Sequence, residues 1–116
     1  MASQRLSLIR GNTLVINYTN QDTSGNPISL SGATVYFTVK NSPGWDSVAN
    51  DSSALWQVVS SGNSGNTCTF TSTPANTWQT PGTYYWDVTI EYSSSNVITP
   101  LQGTILIIGT PTNEPN

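Results

Sequence analysis

Residues 81–92 read PGTYYWDVTIEY, four aromatic rings and two carboxylates within a dozen positions. In an extended chain successive side chains point to opposite faces, so Tyr84, Trp86, Val88, Ile90 and Tyr92 share one face, and Tyr85, Asp87, Thr89 and Glu91 share the other. One face is apolar, and the other is polar. The stretch therefore reads as a strand forming the wall of a core, with Trp86 turned inward and the Asp87–Glu91 face turned to solvent. Asp87 and Glu91 stand four residues apart, roughly 13 Å along a strand, too far for the paired carboxylates of a retaining glycosidase.

Working outward, the same punctuation recurs. β-Branched residues alternate with Gly, Pro, Asn and Ser, and no window holds helical apolar spacing for three turns. Residues 5–9 form a short first strand that Gly11-Asn12 turns into residues 13–19, where Leu14, Ile16 and Tyr18 alternate with Val15, Asn17 and Thr19. Residues 22–27, DTSGNP, are a tight surface turn. In residues 33–40, ATVYFTVK, Val35, Phe37 and Val39 face one way and Thr34, Tyr36, Thr38 and Lys40 the other. Residues 54–59 and 67–71 read as a hairpin with a mobile Gly/Ser/Asn tip. Residues 74–78 form a single helical turn, and residues 97–102 return from residues 84–92, with Pro100 requiring an edge or a bulge. The last strand, Thr104-Ile105-Leu106-Ile107-Ile108, is apolar on both faces and expects cover from both sides. Seven to eight short strands at this spacing predict an all-β, immunoglobulin-like antiparallel β-sandwich over residues 1–110, followed by an extended or disordered tail over 111–116. A jelly roll or small barrel is the alternative architecture.

The 116-residue chain has only 8% charged residues and a net charge of −3, with Arg5, Arg10 and Lys40 as its cations. No basic stripe exists to neutralise phosphates, which argues against nucleic acid, and no apolar run approaches the ~20 residues of a spanning helix, which argues against a membrane. The N-terminal residues lack the pattern of a signal peptide, so synthesis in a cytoplasm is expected. Histidine is absent, which removes the commonest general base and zinc ligand and points away from an enzyme. No cofactor is implied. Asp46, Asn50 and Asp51 could offer oxygens to calcium, but their spacing matches no defined calcium loop. Cys68 is the single cysteine; its alternation with Phe70 makes it a buried small hydrophobe rather than a reactive thiol.

Four tryptophans remain to be placed. Trp86 belongs to the core, and Trp56 could face either way. Trp45, in the non-periodic segment 41–53, and Trp78, in the turn before Pro81, are the rings free to meet a ligand or a partner.

The segments Arg10-Gly11-Asn12-Thr13-Leu14 and Gly25-Asn26-Pro27-Ile28-Ser29-Leu30-Ser31-Gly32-Ala33-Thr34-Val35-Tyr36-Phe37-Thr38-Val39-Lys40, continued by residues 81–88 and 101–105, resemble the immunoglobulin-like domain at the N-terminus of phage baseplate upper proteins and related tailed-phage virion proteins. The resemblance implies a virion structural protein, made in the host cytoplasm, that acts by contacts with other phage virion proteins in a symmetric oligomeric assembly. In that family the domain docks a larger fibre-bearing or receptor-binding part onto the tail; a single domain favours a tail or baseplate adaptor, with capsid decoration as a variant. A carbohydrate-binding module using Trp45 and Trp78 is the alternative from another class. The interface expected from residue chemistry involves Arg5, Arg10, Trp45, Trp78, Ile105 and Ile107, because aromatic and apolar residues are enriched at contact surfaces and charges are sparse there.

Overall fold

The computed structural model describes residues 2–41 and 54–109. Residues 81–92 do become a wall: β6 (Gly82–Ser93) is the central strand of a five-stranded sheet ordered β1 (Ala2–Ile9), β7 (Asn96–Ile108), β6, β3 (Thr34–Lys40), β4 (Trp56–Ser60). A second sheet pairs β2 (Leu14–Thr19) with β5 (Thr67–Ser72). The two sheets form the all-β sandwich. With β2 to β7 in the places of strands B, C, C′, E, F and G, one sheet holds G, F, C and C′ and the other B and E, the immunoglobulin-like arrangement.

Between the sheets lie Val35, Phe37 and Val39 of β3, Trp56 of β4, Cys68 and Phe70 of β5, Trp86, Val88 and Ile90 of β6, and Ile105 and Ile107 of β7. Phe37 bridges the layers, with its ring centroid 5.9 Å from Phe70 in the opposite sheet and 5.9 Å from Trp86 on the neighbouring strand. Such tilted aromatic pairs add about 0.5–1.5 kcal/mol beyond area burial. Trp86 lies opposite Gly103 in the β6–β7 ladder, and its indole N–H donates to the Thr104 carbonyl at 2.9 Å. Trp56 faces inward and donates to Ser72 Oγ at 2.9 Å, which ties β4 to β5 across the core.

Four expectations need correction. First, β1 runs parallel to β7 (Arg5↔Thr104, Ile9↔Ile108), so the sandwich is not wholly antiparallel. The chain reaches β2 only after crossing to the other sheet, and this leaves β1 lying alongside the last strand. Second, residues 54–59 and 67–71 are not a hairpin: β4 pairs with β3, and β5 with β2. The intervening residues cross between sheets, held by Asn20 N–H to Asn66 O at 2.7 Å and Leu30 N–H to Gly65 O at 2.8 Å. Alternation cannot separate the two cases, because facing strands of two sheets share the inward phase of a hairpin.

Third, residues 97–102 and 104–108 are one strand, β7. Val88 pairs with Leu101 and Ile90 with Ile98, so Thr99 and Pro100 together oppose Thr89. Pro100, which lacks a backbone donor, occupies the expected bulge. Fourth, the second face of β6 is not solvated along its middle: Asp87 is 5% exposed, and Thr89, Thr38 and Lys40 are buried beside it. Thr89 donates to Asp87 Oδ1 at 3.1 Å, and half-buried Glu91 accepts from the Tyr36 hydroxyl at 3.2 Å.

The turn at residues 22–27 forms as expected: Asp22 Oδ1 accepts the Ser24 and Asn26 amides, each at 2.9 Å, which holds its carboxyl below the usual range. Gly25 supplies the positive φ there, at 87°. Beside it, the buried Tyr18 hydroxyl donates to Asn20 Oδ1 at 2.9 Å, and Asn20 Nδ2 donates to Ile28 O at 3.2 Å and to the Tyr92 hydroxyl at 3.1 Å. Burial, helped by the nearby Cys68 and Tyr92, pushes the Tyr18 phenol from 10.0 up to about 12.

Two outcomes follow for stability. Phe37→Ala should cost about 3–5 kcal/mol in denaturant unfolding, as truncated core phenylalanines do, whereas Val59→Ala on the exposed side of β4 should stay within about 0.5 kcal/mol. Because the folded state raises the Tyr18 pKa, its contribution is fully present below pH 10 and is lost as the pH climbs through about 12. Stability measured across that window should fall, and Tyr18→Phe should flatten part of the fall; a parallel profile would rule the linkage out.

Candidate functional site

β1, β7 and β6 present the face of the five-stranded sheet that points away from the core. By register this face carries Arg5, Ser7 and Ile9 from β1, Thr104, Leu106 and Ile108 from β7, and Thr83 and Tyr85 from β6. Ile9, Leu106 and Ile108 are 47%, 45% and 46% exposed. Ile9 and Ile108 are direct ladder partners, and Leu106 lies two residues back on the same side, about 7 Å away at the rise of a strand. Of the other exposed aliphatics, Val15 lies on β2 and Val59 on β4, while Val97 and Ile98 stand at the opposite, N-terminal end of β7. A shallow groove of about 530 Å³ runs along this face, lined by Arg5, Leu6, Ser7, Thr83, Thr104 and Leu106.

The end of the face is built by a helical turn, α1 (Pro74–Thr77), expected from Pro74. Thr73 caps it: its Oγ1 accepts the Asn76 amide at 3.3 Å, while Asn76 Oδ1 accepts the Thr73 amide at 2.9 Å, a reciprocal box that fixes so short a helix. Thr77 is buried and donates through Oγ1 to Asn12 O at 2.8 Å, and its carbonyl accepts from Gly11 N–H at 3.4 Å. These bonds lock α1 onto the β1–β2 turn and place Trp78 under Arg10. The guanidinium carbon of Arg10 stands 3.8 Å from the Trp78 ring centroid, a cation–π contact. The Arg10 amide donates to Ile108 O at 2.8 Å, continuing the β1–β7 edge, and the buried Arg10 Nε finds no acceptor among the described residues.

The sequence-based candidates separate cleanly. Arg5 lines the groove, and Arg10 and Trp78 meet each other at its end. Ile105 and Ile107 are 0% and 1% exposed; they belong to the core, and their neighbours Leu106 and Ile108 are what the strand offers outward. Sequence reasoning named the wrong phase of this strand. The signal that could have set it lies in β6, because Tyr84 opposes Ile105 and Trp86 fixes the inward side. Ile9 falls within the Arg5–Arg10 segment, and the alternation of Leu6 and Leu8 with Arg5 and Ser7 sets it outward. Trp45, with Asp46, Asn50 and Asp51, lies outside the described residues.

The described residues of this face offer aliphatic, hydroxyl and guanidinium groups. Among the described residues no cluster of three metal-ligating side chains occurs. Cys68 is buried, and burial pushes its thiol up, against thiolate formation. No helix among the described residues is long and apolar enough to cross a membrane. The chain matches no known family model, and no curated protein is found to be similar to it.

A double-mutant cycle on Arg10→Ala and Trp78→Ala should return a coupling of about 0.5–1 kcal/mol, the value of a partly exposed cation–π pair. Additive single-mutant losses would show that the stacking is incidental.

Proposed function

We propose that the chain is a non-enzymatic structural subunit of a tailed-phage virion, an adaptor of the tail or baseplate region held in a symmetric assembly by protein–protein contacts through the β1–β7–β6 face. The observation that carries this reading is the exposed ladder Ile9–Ile108 with Leu106 beside it. It is flanked by Arg5 and Arg10, whereas the third cation, Lys40, is buried. An apolar stripe bracketed by two guanidinium groups fits a partner carrying an apolar patch bracketed by carboxylates or carbonyls, since arginine suits interfacial pairing of this kind. The sparse charge agrees with a surface meant to be covered. The phage setting rests on the resemblance of residues 10–14, 25–40 and 81–88 to virion immunoglobulin-like domains. Capsid decoration would use the same face.

The glycan reading loses support at one of its two rings, because the Arg10 guanidinium already occupies a face of Trp78, and sugar stacking needs an open face.

The test is incorporation. Leu106→Glu and Ile108→Glu alter exposed side chains, so unfolding should shift by no more than about 0.5 kcal/mol, while recovery of the chain in purified particles should collapse. Wild-type incorporation of both variants would overturn the proposed surface, and absence of the wild-type chain from particles would overturn the virion role.

A further inference from the structure

A second opening lies on the opposite side of β1. Between the two sheets, where β1 and β2 border each other, a cleft of about 380 Å³ is floored by Leu6, Ile16, Tyr18, Trp86, Pro100 and Leu101. None of the residues lining it is charged. β2 has one strand neighbour among the described residues, β5, so alternate backbone N–H and C=O groups of Leu14–Thr19 point out over this cleft. Natural sheets usually protect such an edge with lysine, proline or a bulge. β2 has none of these: its sequence is LVINYT, and its pairing with β5 is regular from end to end.

We infer that the free edge of β2 accepts an extended segment of a neighbouring subunit as a third strand of the smaller sheet, with alternate apolar side chains of that segment entering the cleft over Leu6 and Trp86. This rests on the subunit role proposed above and names a second contact for it. The backbone edge demands an extended peptide, because only a strand can pair with its unfilled donors and acceptors. The uncharged lining demands apolar, uncharged side chains at every second position, since an inserted charge would lose its hydration without a counter-charge. Size sets the source. One strand of six residues falls well below the roughly 1,200 Å² that a stable free-standing interface buries, so the segment must be an arm of a chain already held nearby, where tethering supplies the effective concentration.

Amide hydrogen exchange of the purified chain should be compared with that of the chain within particles. Exchange over Leu14–Thr19 should slow by at least about tenfold on assembly, as amides recruited into a ladder do. Thr19→Lys, an exposed change at the cleft rim, should leave the melting temperature of the isolated chain in place, lower its incorporation and abolish that protection. Unchanged exchange in β2 together with protection of the Leu106–Ile108 face would overturn the added strand and leave the proposed function standing. A chain missing from particles would overturn both. Wild-type incorporation and protection of Thr19→Lys would also refute the inference.

Discussion

The fold depends on one constraint: Phe37, Phe70 and Trp86 must be kept from water, and neither sheet can do this alone. A two-stranded ribbon is marginal by itself, so β2 and β5 persist because Ile16, Tyr18, Cys68 and Phe70 are pressed onto the inner side of β3 and β6. The chain crosses between the layers at β1–β2, β2–β3, β4–β5 and β5–β6. Each crossing is anchored by backbone bonds, such as Asn20 with Asn66 and Gly11 with Thr77, where a free loop would have left polar groups unpaired.

The sheets are unequal, and this decides where the molecule can be sticky. Two strands cannot cover five, so the sandwich closes well around Trp86 and Phe37, and among the described residues a flank stays open beside β2. On the far face of the larger sheet, the central strands β3 and β6 bury Thr38, Lys40, Asp87 and Thr89, while the β1–β7 margin leaves Ile9, Leu106 and Ile108 in water. The buried polar residues lie in the middle of that face, and the exposed aliphatics lie at its edge.

Much of this was legible in the sequence because strand alternation reports a side chain's face directly. Period alone sets Trp86, Val88 and Ile90 on one face, Val35, Phe37 and Val39 on another shared face, and Phe70 with Cys68, and all are buried. The turns at Gly11 and Gly25, the bulge at Pro100 and the helical turn at Pro74 follow from residue chemistry and occur where expected. What alternation cannot report is the partner. The β4–β5 connection, the parallel seat of β1 and the burial of Asp87 all depend on which strand lies alongside, information carried by contacts distant in sequence. The run from Ile105 to Ile108 failed for a related reason: a strand apolar on both sides has no internal phase. Only its register with β6 separates Ile105 and Ile107 from Leu106 and Ile108.

β1 then takes on a particular role. Its inward residues Leu6 and Leu8 pack against the core, its outward residues Arg5 and Ile9 frame the exposed ladder, and Leu6 also lines the open flank. Among the described residues it is held laterally by a single ladder, the parallel one with β7, and parallel pairing is slightly the weaker kind per residue. The Arg10–Trp78 stack and the Arg10 amide bond to Ile108 pin its C-terminal end; its N-terminal end pairs near Leu101, beside the Pro100 bulge, where the ladder of β7 is already interrupted. A partner resting on the outer face and a strand seated in the flank would press β1 from both sides, so each contact would lower the ordering cost of the other. Two weak surfaces sharing one lightly held strand can in this way behave as a single cooperative attachment.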